Sequence, residues 1–195
     1  ALNSHSNSSL EDVLKRLKKV ANTSFEETTP IPPVANHSTE FYNHEQKKIF
    51  TNEWICVGRE DEISKDGDYL THEIAGVPVL IVRQVTNEIY AFVNACAHRF
   101  TCLVSKVSGR TKTFTCPYHA WTYGLDGSLK RAPFMEMKED FNPNNHHLKK
   151  LYSEVWEGFI YVTLADSPSK SVNSSLENLK TKIVGRYDMR RYKTV

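Results

Sequence analysis

The sequence has no long apolar run and no marked excess of charge of one sign. Its longest clean hydrophobic stretch, residues 75–82, is interrupted by Gly76 and Pro78 and is far shorter than the roughly 20 residues of a membrane-spanning helix. The 25 Lys and Arg residues nearly balance the 23 Asp and Glu residues, which gives a net charge of +2. We therefore predict no membrane partner and no nucleic-acid partner.

Cysteine is also scarce, and the N-terminus lacks a secretory pattern. Four cysteines among 195 residues are too few for a disulfide scaffold. Residues 1–9 are rich in Ser, Asn and His and show no basic region followed by an apolar core. We therefore expect a cytoplasmic protein with reduced thiols. A chain of this length, with 39% hydrophobic residues, suits one domain with extensions and is short for most two-domain enzymes.

The N-terminal part of the chain predicts helices joined by an extended connector. Apolar residues recur at helical spacing from Leu10 to Ala21, after a capping box formed by Ser8 and Glu11. The connector covers residues 22–38, where three prolines disfavour a helix. A second, short helix is predicted at about residues 39–50.

The middle of the chain predicts short strands separated by turns, and this density of strands indicates a β core. The predicted strands are Trp54 to Val57, Tyr69 to Ile74, Val77 to Val82, Ile89 to Val93, Thr113 to Thr115, Thr122 to Tyr123, Leu151 to Trp156 and Phe159 to Leu164. A last helix is predicted at about residues 175–185, after a capping box of Ser174 and Glu177. The predicted fold class is thus mainly β, an antiparallel sheet core flanked by short helices.

Two short motifs carry the chemistry. Cys96-Ala-His98 is followed, after seventeen residues, by Cys116-Pro-Tyr-His119. Each motif lies in a loop after a predicted strand, so the two loops can present two thiolates and two imidazoles to one centre. Zinc accepts such a ligand set, but zinc sites usually pair like ligands within each half. A [2Fe–2S] cluster with one iron on two Cys and the other on two His needs the ligands split between the loops, as they are here.

The residues around these motifs resemble the Rieske domain at the N-terminus of the α subunit of Rieske non-heme iron oxygenases. The resemblance extends from about Phe41 to Leu164. It is carried by Trp54-Ile-Cys-Val-Gly58, Cys96-Ala-His-Arg99, Cys116-Pro-Tyr-His-Ala-Trp121, Tyr123, Asp126-Gly127, Leu129, Pro133 and Glu157-Gly-Phe-Ile-Tyr-Val162. It implies a Rieske-type antiparallel sheet with a two-loop cluster-binding subdomain. It also implies that Cys96, His98, Cys116 and His119 bind the irons of the cluster.

The resemblance further implies a function in electron transfer. We expect a ferredoxin or a flavin reductase as electron donor. The expected acceptor is a mononuclear Fe(II) in a catalytic domain of the same or a neighbouring α subunit of a homo-oligomer, where O₂ is activated for mono- or dihydroxylation. The alternatives are a stand-alone Rieske-type ferredoxin and a zinc-bound structural module.

The mononuclear iron of this family is bound by two His and one carboxylate, and this chain offers poor candidates for them. Glu136, Asp140, His146 and His147 lack the family spacing, and we interpret them as solvated loop residues. The chain is therefore expected to contain no catalytic residues. We expect residues 1–40 to form the N-terminal helix and connector, residues 41–166 the Rieske domain, and residues 167–195 a helix and linker toward a catalytic domain outside this chain.

Five further residues need an interpretation. Phe100 and Ala120 stand where family members usually have Gly, which suggests that the two loops are shaped slightly differently here. In cytochrome bc-type Rieske proteins each loop carries an extra cysteine, and the two form a disulfide. Tyr118 occupies that position in the second loop, so Cys102 has no partner. We interpret Cys102 and Cys56 as buried or half-buried thiols.

Overall fold

The computed structural model describes residues 9–135 and 137–194. The chain divides into two compact units, residues 1–49 and residues 50–195. This division lies nine residues after the boundary predicted at residue 40, and the boundaries predicted from the sequence stay predictions. None of the helices in the described ranges has the length and apolar character needed to cross a bilayer.

The first unit contains the two predicted N-terminal helices. Helix α1 (Leu10–Ala21) is capped by Ser9, whose hydroxyl accepts the backbone N–H of Asp12. The predicted cap, Ser8, lies outside the described residues. Helix α2 (Thr39–Glu45) is capped by Ser38. The second helix was predicted to continue to about residue 50, but its last turn, Gln46–Phe50, is a π-helix.

The second unit contains the ten strands of the described chain. They are β1 (Ile55–Arg59), β2 (Asp68–Ile74), β3 (Val77–Arg83), β4 (Ile89–Val93), β5 (Ser108–Arg110), β6 (Phe114–Thr115), β7 (Thr122–Tyr123), β8 (Leu129–Arg131), β9 (Lys150–Trp156) and β10 (Phe159–Thr163). All eight predicted strands are present within one or two residues. Strands β5 and β8 were missed because each is three residues long and mostly exposed, without an alternating apolar pattern.

The strands form two antiparallel sheets, so the predicted mainly β fold is confirmed. One sheet has seven strands in the order β1-β10-β9-β4-β3-β2-β5, and the other has three in the order β6-β7-β8. Strand β3 lies inside the larger sheet, and its residues 77–82 are all apolar, as suits a strand with both faces buried. Val79 and Ile81 belong to one core cluster and Leu80 and Val82 to another. The second cluster extends beneath the loops that carry the Cys and His motifs.

Two tight turns set the register of the larger sheet. Ala75-Gly76 joins β2 to β3 with φ angles of 50° and 78°, and Glu157-Gly158 joins β9 to β10 with φ angles of 50° and 84°. Two consecutive positive φ values are typical of type I′ hairpin turns, whose twist matches that of the flanking strands.

The prediction of one C-terminal helix at about residues 175–185 is wrong, because this segment is not a single continuous helix. The structure has a short helix α3 (Val172–Ser175), a single α-helical turn (Glu177–Leu179) and a π-helical turn (Lys180–Val184). The predicted capping box does not form, because the Ser171 hydroxyl caps α3 instead by accepting the backbone N–H of Ser174. Tertiary contact fixes this start: Val172 is buried, and its N–H donates to Glu154 of β9 at 2.8 Å.

The last described residues lie along the edge of the larger sheet, and we call residues 188–194 the C-terminal strap. The Arg59 guanidinium donates to the carbonyl oxygens of Met189 at 3.1 Å and Tyr192 at 2.7 Å. It also pairs with Asp61 at 3.0 Å, and the Asp61 carboxylate accepts the N–H of Thr194 at 2.7 Å. This last bond is the main reason why the pKa of Asp61 lies below its ordinary value.

Candidate functional site

The two motif-bearing loops come from separate strand pairs and meet at one end of the second unit. Loop 1, residues 96–101, follows β4. The Cys96 N–H donates to the carbonyl of Thr101 at 2.8 Å, and the Phe100 N–H donates to the carbonyl of Cys96 at 2.8 Å. These two bonds close loop 1 onto its own first residue.

Loop 2, residues 116–121, connects β6 to β7 and repeats this arrangement. The Cys116 N–H donates to the carbonyl of Trp121 at 2.8 Å, and the Ala120 N–H donates to the carbonyl of Cys116 at 3.0 Å. The two loops therefore have the same length and the same hydrogen bonds, although His is the third residue of loop 1 and the fourth of loop 2.

The two residues that replace glycine adopt the backbone conformation that favours glycine. Phe100 has φ 55° and Ala120 has φ 56°, both in the left-handed region. For residues with a Cβ this conformation costs roughly 1–2 kcal/mol. The hydrogen bonds that close each loop hold these residues there, so the two loops share one backbone shape despite the substitutions.

The structure brings all four predicted ligand residues together and pairs like with like. The side chains of Cys96 and Cys116 interact with each other and are only 1% and 3% exposed. The rings of His98 and His119 lie 4.8 Å apart between centroids, with His98 partly buried and His119 exposed. The thiols thus form an inner pair and the imidazoles an outer pair.

This arrangement differs from that of a single-ion site. Within residues 9–135 and 137–194, no three Cys, His, Asp or Glu side chains surround one point that suits a metal ion. A structural zinc site needs four ligand atoms within about 2.0–2.3 Å of one ion. Two separate pairs instead fit a group with two metals, one on the thiol pair and one on the imidazole pair.

Burial shifts the pKa of two of the candidate ligands, Cys96 and His98. Burial is the main cause that raises the pKa of Cys96. Burial, followed by the positive charges of His119, Arg99 and His146, lowers the pKa of His98. The His98 imidazole is therefore already in the neutral form that binds iron, whereas the Cys96 thiolate needs the metal to stabilise it.

A buried tyrosine contacts the inner thiol pair. The hydroxyl of Tyr123 lies 3.2 Å from Sγ of Cys96 and accepts the N–H of Ala97 at 3.1 Å. Its side chain is 0% exposed, and burial is the main cause that raises its pKa. Tyr123 thus keeps its proton and can donate it in a hydrogen bond to a Cys96 thiolate.

An aromatic cluster lies beside the outer pair. Trp121 stacks on His98 with 4.7 Å between centroids and 10° between planes. Trp121 also contacts His146 at 5.3 Å and Phe141 at 5.6 Å, in both cases edge to face. On the other ligand, Tyr118 lies 4.1 Å from the ring of His119. The interpretation of His146 as a solvated loop residue is therefore wrong.

No sequence signal could have revealed the position of His146, because 24 residues separate it from Trp121 and only tertiary contacts bring the two together. The neighbouring His147 and Asp140 are exposed, as predicted. Glu136, the fourth residue considered for a mononuclear site, lies outside the described residues.

The other two cysteines are exposed, so the prediction that they are buried or half-buried is wrong. Cys56 lies on the edge strand β1, and Cys102 follows loop 1 with its thiol donating to the carbonyl of Val104 at 3.3 Å. All four cysteines are free thiols. Burial distinguishes the two candidate ligand cysteines from the other two, because only Cys96 and Cys116 lie in the core.

Comparisons with known proteins agree with this geometry. Residues 53–149 match the family described as Rieske [2Fe-2S] domain. The carnitine monooxygenase oxygenase subunit of Acinetobacter baumannii is 35% identical over 136 residues, which are 70% of this chain and 37% of that protein.

Two solved structures are also similar. One is a quaternary ammonium Rieske monooxygenase, described as revealing insights into carnitine oxidation by gut microbiota and inter-subunit electron transfer. It has a TM-score of 0.73 and 32% identity, over 79% of this chain and 42% of that one. The other is naphthalene 1,2-dioxygenase from Rhodococcus sp. bound to indole. It has a TM-score of 0.81 and 27% identity, over 92% of this chain and 40% of that one. The chain thus spans about two fifths of the length of these relatives.

Proposed function

Because residues 53–149 belong to the Rieske [2Fe-2S] domain family and the chain is homologous to oxygenase subunits, we propose that it is the electron-transfer part of a Rieske non-heme iron oxygenase. In this proposal Cys96 and Cys116 bind the inner iron of the cluster, and His98 and His119 bind the outer iron. When bound, the cluster supplies one-electron transfer. The whole oxidoreductase would use these electrons to activate O₂ for the mono- or dihydroxylation of an organic substrate.

The observation that carries this proposal is the pairing of like residues across two loops of equal shape. A cluster ligated in this way needs each loop to reach both irons. The inner thiol pair is buried among apolar residues, while the outer imidazole pair reaches the surface at His119. An electron can therefore enter or leave through an imidazole edge while the sulfur ligands stay protected from solvent.

The exposed edge of His119 supports a role in contact with redox partners. We propose that a ferredoxin or flavin reductase delivers electrons here. We further propose that they pass to a mononuclear Fe(II) in the catalytic domain of the same or a neighbouring subunit. The inter-subunit electron transfer described for a structural relative supports a neighbouring subunit in a homo-oligomer. In this arrangement residues 41–166 form the Rieske domain and residues 167–195 lead to the catalytic domain.

The main alternative is a stand-alone Rieske-type ferredoxin. The C-terminal strap argues against it, because a minimal electron carrier needs no such segment. The zinc-bound structural module is disfavoured by the paired rather than convergent arrangement of the four side chains.

Metal analysis and spectroscopy of the purified chain test the proposal. We expect red-brown protein with two irons and two acid-labile sulfides per chain, and a Rieske-type EPR signal after reduction. Colourless protein with one zinc per chain would refute it.

A matched pair of variants tests the ligand assignment. His119→Ala should abolish or alter the cluster spectrum, because the outer iron loses one of its two protein ligands. His147→Ala, which removes an exposed imidazole 28 positions after His119, should leave the spectrum unchanged. An unaltered spectrum in His119→Ala would exclude His119 as a ligand.

A further inference from the structure

The ring of His98 is covered on one side by a buried tryptophan. Trp121 is only 3% exposed, and its ring lies nearly parallel to that of His98, 4.7 Å away. Water therefore cannot reach the face of His98 that Trp121 covers. By contrast, His119 is exposed, so the two imidazoles of the outer pair differ in their access to solvent.

Two further rings pack against Trp121. His146 meets it at 84° between planes and Phe141 at 72°. His146 and Phe141 also stack on each other, with 4.9 Å between centroids and 15° between planes. Edge-to-face and stacked ring pairs are favourable beyond the area they bury. The three rings thus form one packed unit.

The backbone around His146 is anchored on both sides. His146 ends a short 3₁₀-helix, Pro143–His146, whose first turn is capped by the side chain of Asn142. Two residues later, Leu148 is buried, and its N–H donates to the carbonyl of Gly127 at 2.9 Å. These contacts hold the imidazole of His146 against Trp121.

We infer that His146 is a positioning residue for the cluster site, whose ring, together with Phe141, holds Trp121 against His98 and keeps water from the outer iron. This inference rests on the proposed function, because it takes His98 as a ligand. The role belongs to the ring of His146 rather than to its charge or its nitrogens.

Water access matters because reduction changes the charge of the cluster. Two Fe³⁺ ions, two sulfides and two thiolates sum to zero charge, so the reduced form carries one negative charge. An environment without water disfavours that charge. The apolar surroundings of a metal site control its reduction potential in this way. Loosening Trp121 should therefore stabilise the reduced form and raise the midpoint potential.

Three variants of the cluster-loaded chain test the inference by redox titration, with the EPR signal as readout. All are measured at one pH, well above the ordinary histidine pKa of about 6.5. His146→Ala removes the ring and should raise the midpoint potential. His146→Phe keeps a ring and should leave it at the wild-type value. His147→Ala, the neighbouring exposed control, should also leave it unchanged.

The outcomes separate this inference from the proposed function. A wild-type chain without a Rieske signal would refute the proposed function. A wild-type signal with an unchanged potential in His146→Ala would refute only the role of His146. Equal shifts in His146→Ala and His146→Phe, or loss of the cluster in both, would show that the ring alone is not responsible. Loss of the cluster in His146→Ala alone would support dependence on the ring.

Discussion

The hydroxyl of Tyr123 provides the sharpest quantitative test of the inner pair. It lies 3.2 Å from Sγ of Cys96 on a side chain with no exposed surface. Reduction adds negative charge to the cluster and its sulfur ligands, so a hydrogen bond donated to Cys96 strengthens when the electron arrives. Tyr123→Phe removes this bond while keeping the ring, and we expect the midpoint potential to fall.

The size of the fall follows from the strength of the bond. A hydrogen bond to a charged group contributes about 1.5–3 kcal/mol, and only the part that differs between the two redox states acts on the potential. If that part is about 1 kcal/mol, the fall is about 40 mV, because a tenfold change in a one-electron equilibrium is about 59 mV and about 1.4 kcal/mol.

Redox titration monitored by EPR at neutral pH measures this difference. Tyr90→Phe is the matched control, because it removes a hydroxyl that bonds to Glu88 instead, at 3.2 Å. Iron and sulfide contents should match the wild type in both variants. An unchanged or higher potential in Tyr123→Phe, with a full cluster, would refute the idea that this hydroxyl donates to a ligand sulfur.

Three other predictions address the outer pair, a close backbone approach and the C-terminal strap. The midpoint potential should fall as pH rises through the alkaline range, because the oxidised cluster acidifies the N–H groups of its imidazole ligands; a flat profile would contradict imidazole ligation with a solvent-exposed N–H. Gly127→Ala should destabilise the fold by about 2–4 kcal/mol in urea unfolding, because its φ is +79° and a Cβ would lie 2.5 Å from the Phe92 ring. The control Gly76→Ala, with φ +78° and nothing within 4 Å, should cost only about 1–2 kcal/mol. Equal losses in the two variants would show that the Phe92 contact is unimportant. Arg59→Gln should speed tryptic cleavage after Arg190, Arg191 and Lys193, because the strap loses two hydrogen bonds. Intact-protein mass spectrometry follows the cleavage over time. The control Arg110→Gln, at an exposed arginine paired with Asp68, should leave the cleavage rate unchanged. The Thr194 N–H lowers the pKa of Asp61. The stabilisation of the strap by the Asp61 carboxylate should therefore be fully present above pH 3.8, the ordinary pKa of this side chain, and be lost as pH falls through the lowered pKa.

Local sequence patterns determined the strands and the turns between them. The apolar run of β3 and the Ala75-Gly76 and Glu157-Gly158 pairs have conformational preferences that act within a few residues. The spacing of Cys96, His98, Cys116 and His119 likewise restricts the chemistry before any fold is known, because few metal groups require thiolates and imidazoles divided between two loops.

Patterns at the chain ends were less decisive because several residues can perform the same local task. Ser9 caps α1 and Ser171 caps α3, in each case a serine other than the one predicted. Serines repeat in both segments, so packing selects among them. For α3 the selection comes from the buried Val172 and its bond to Glu154.

Only the tertiary structure decided which residues surround the site and which lie in solvent. The burial of Cys96 and Cys116 and the exposure of Cys56 and Cys102 depend on which elements pack over each thiol, and the sequence led us to expect burial or half-burial for the latter two as well. The contact of His146 with Trp121 likewise depends on distant segments. Such contacts form when strands and loops far apart in sequence pack together, so the sequence alone determined the ligand types, and the fold determined their surroundings.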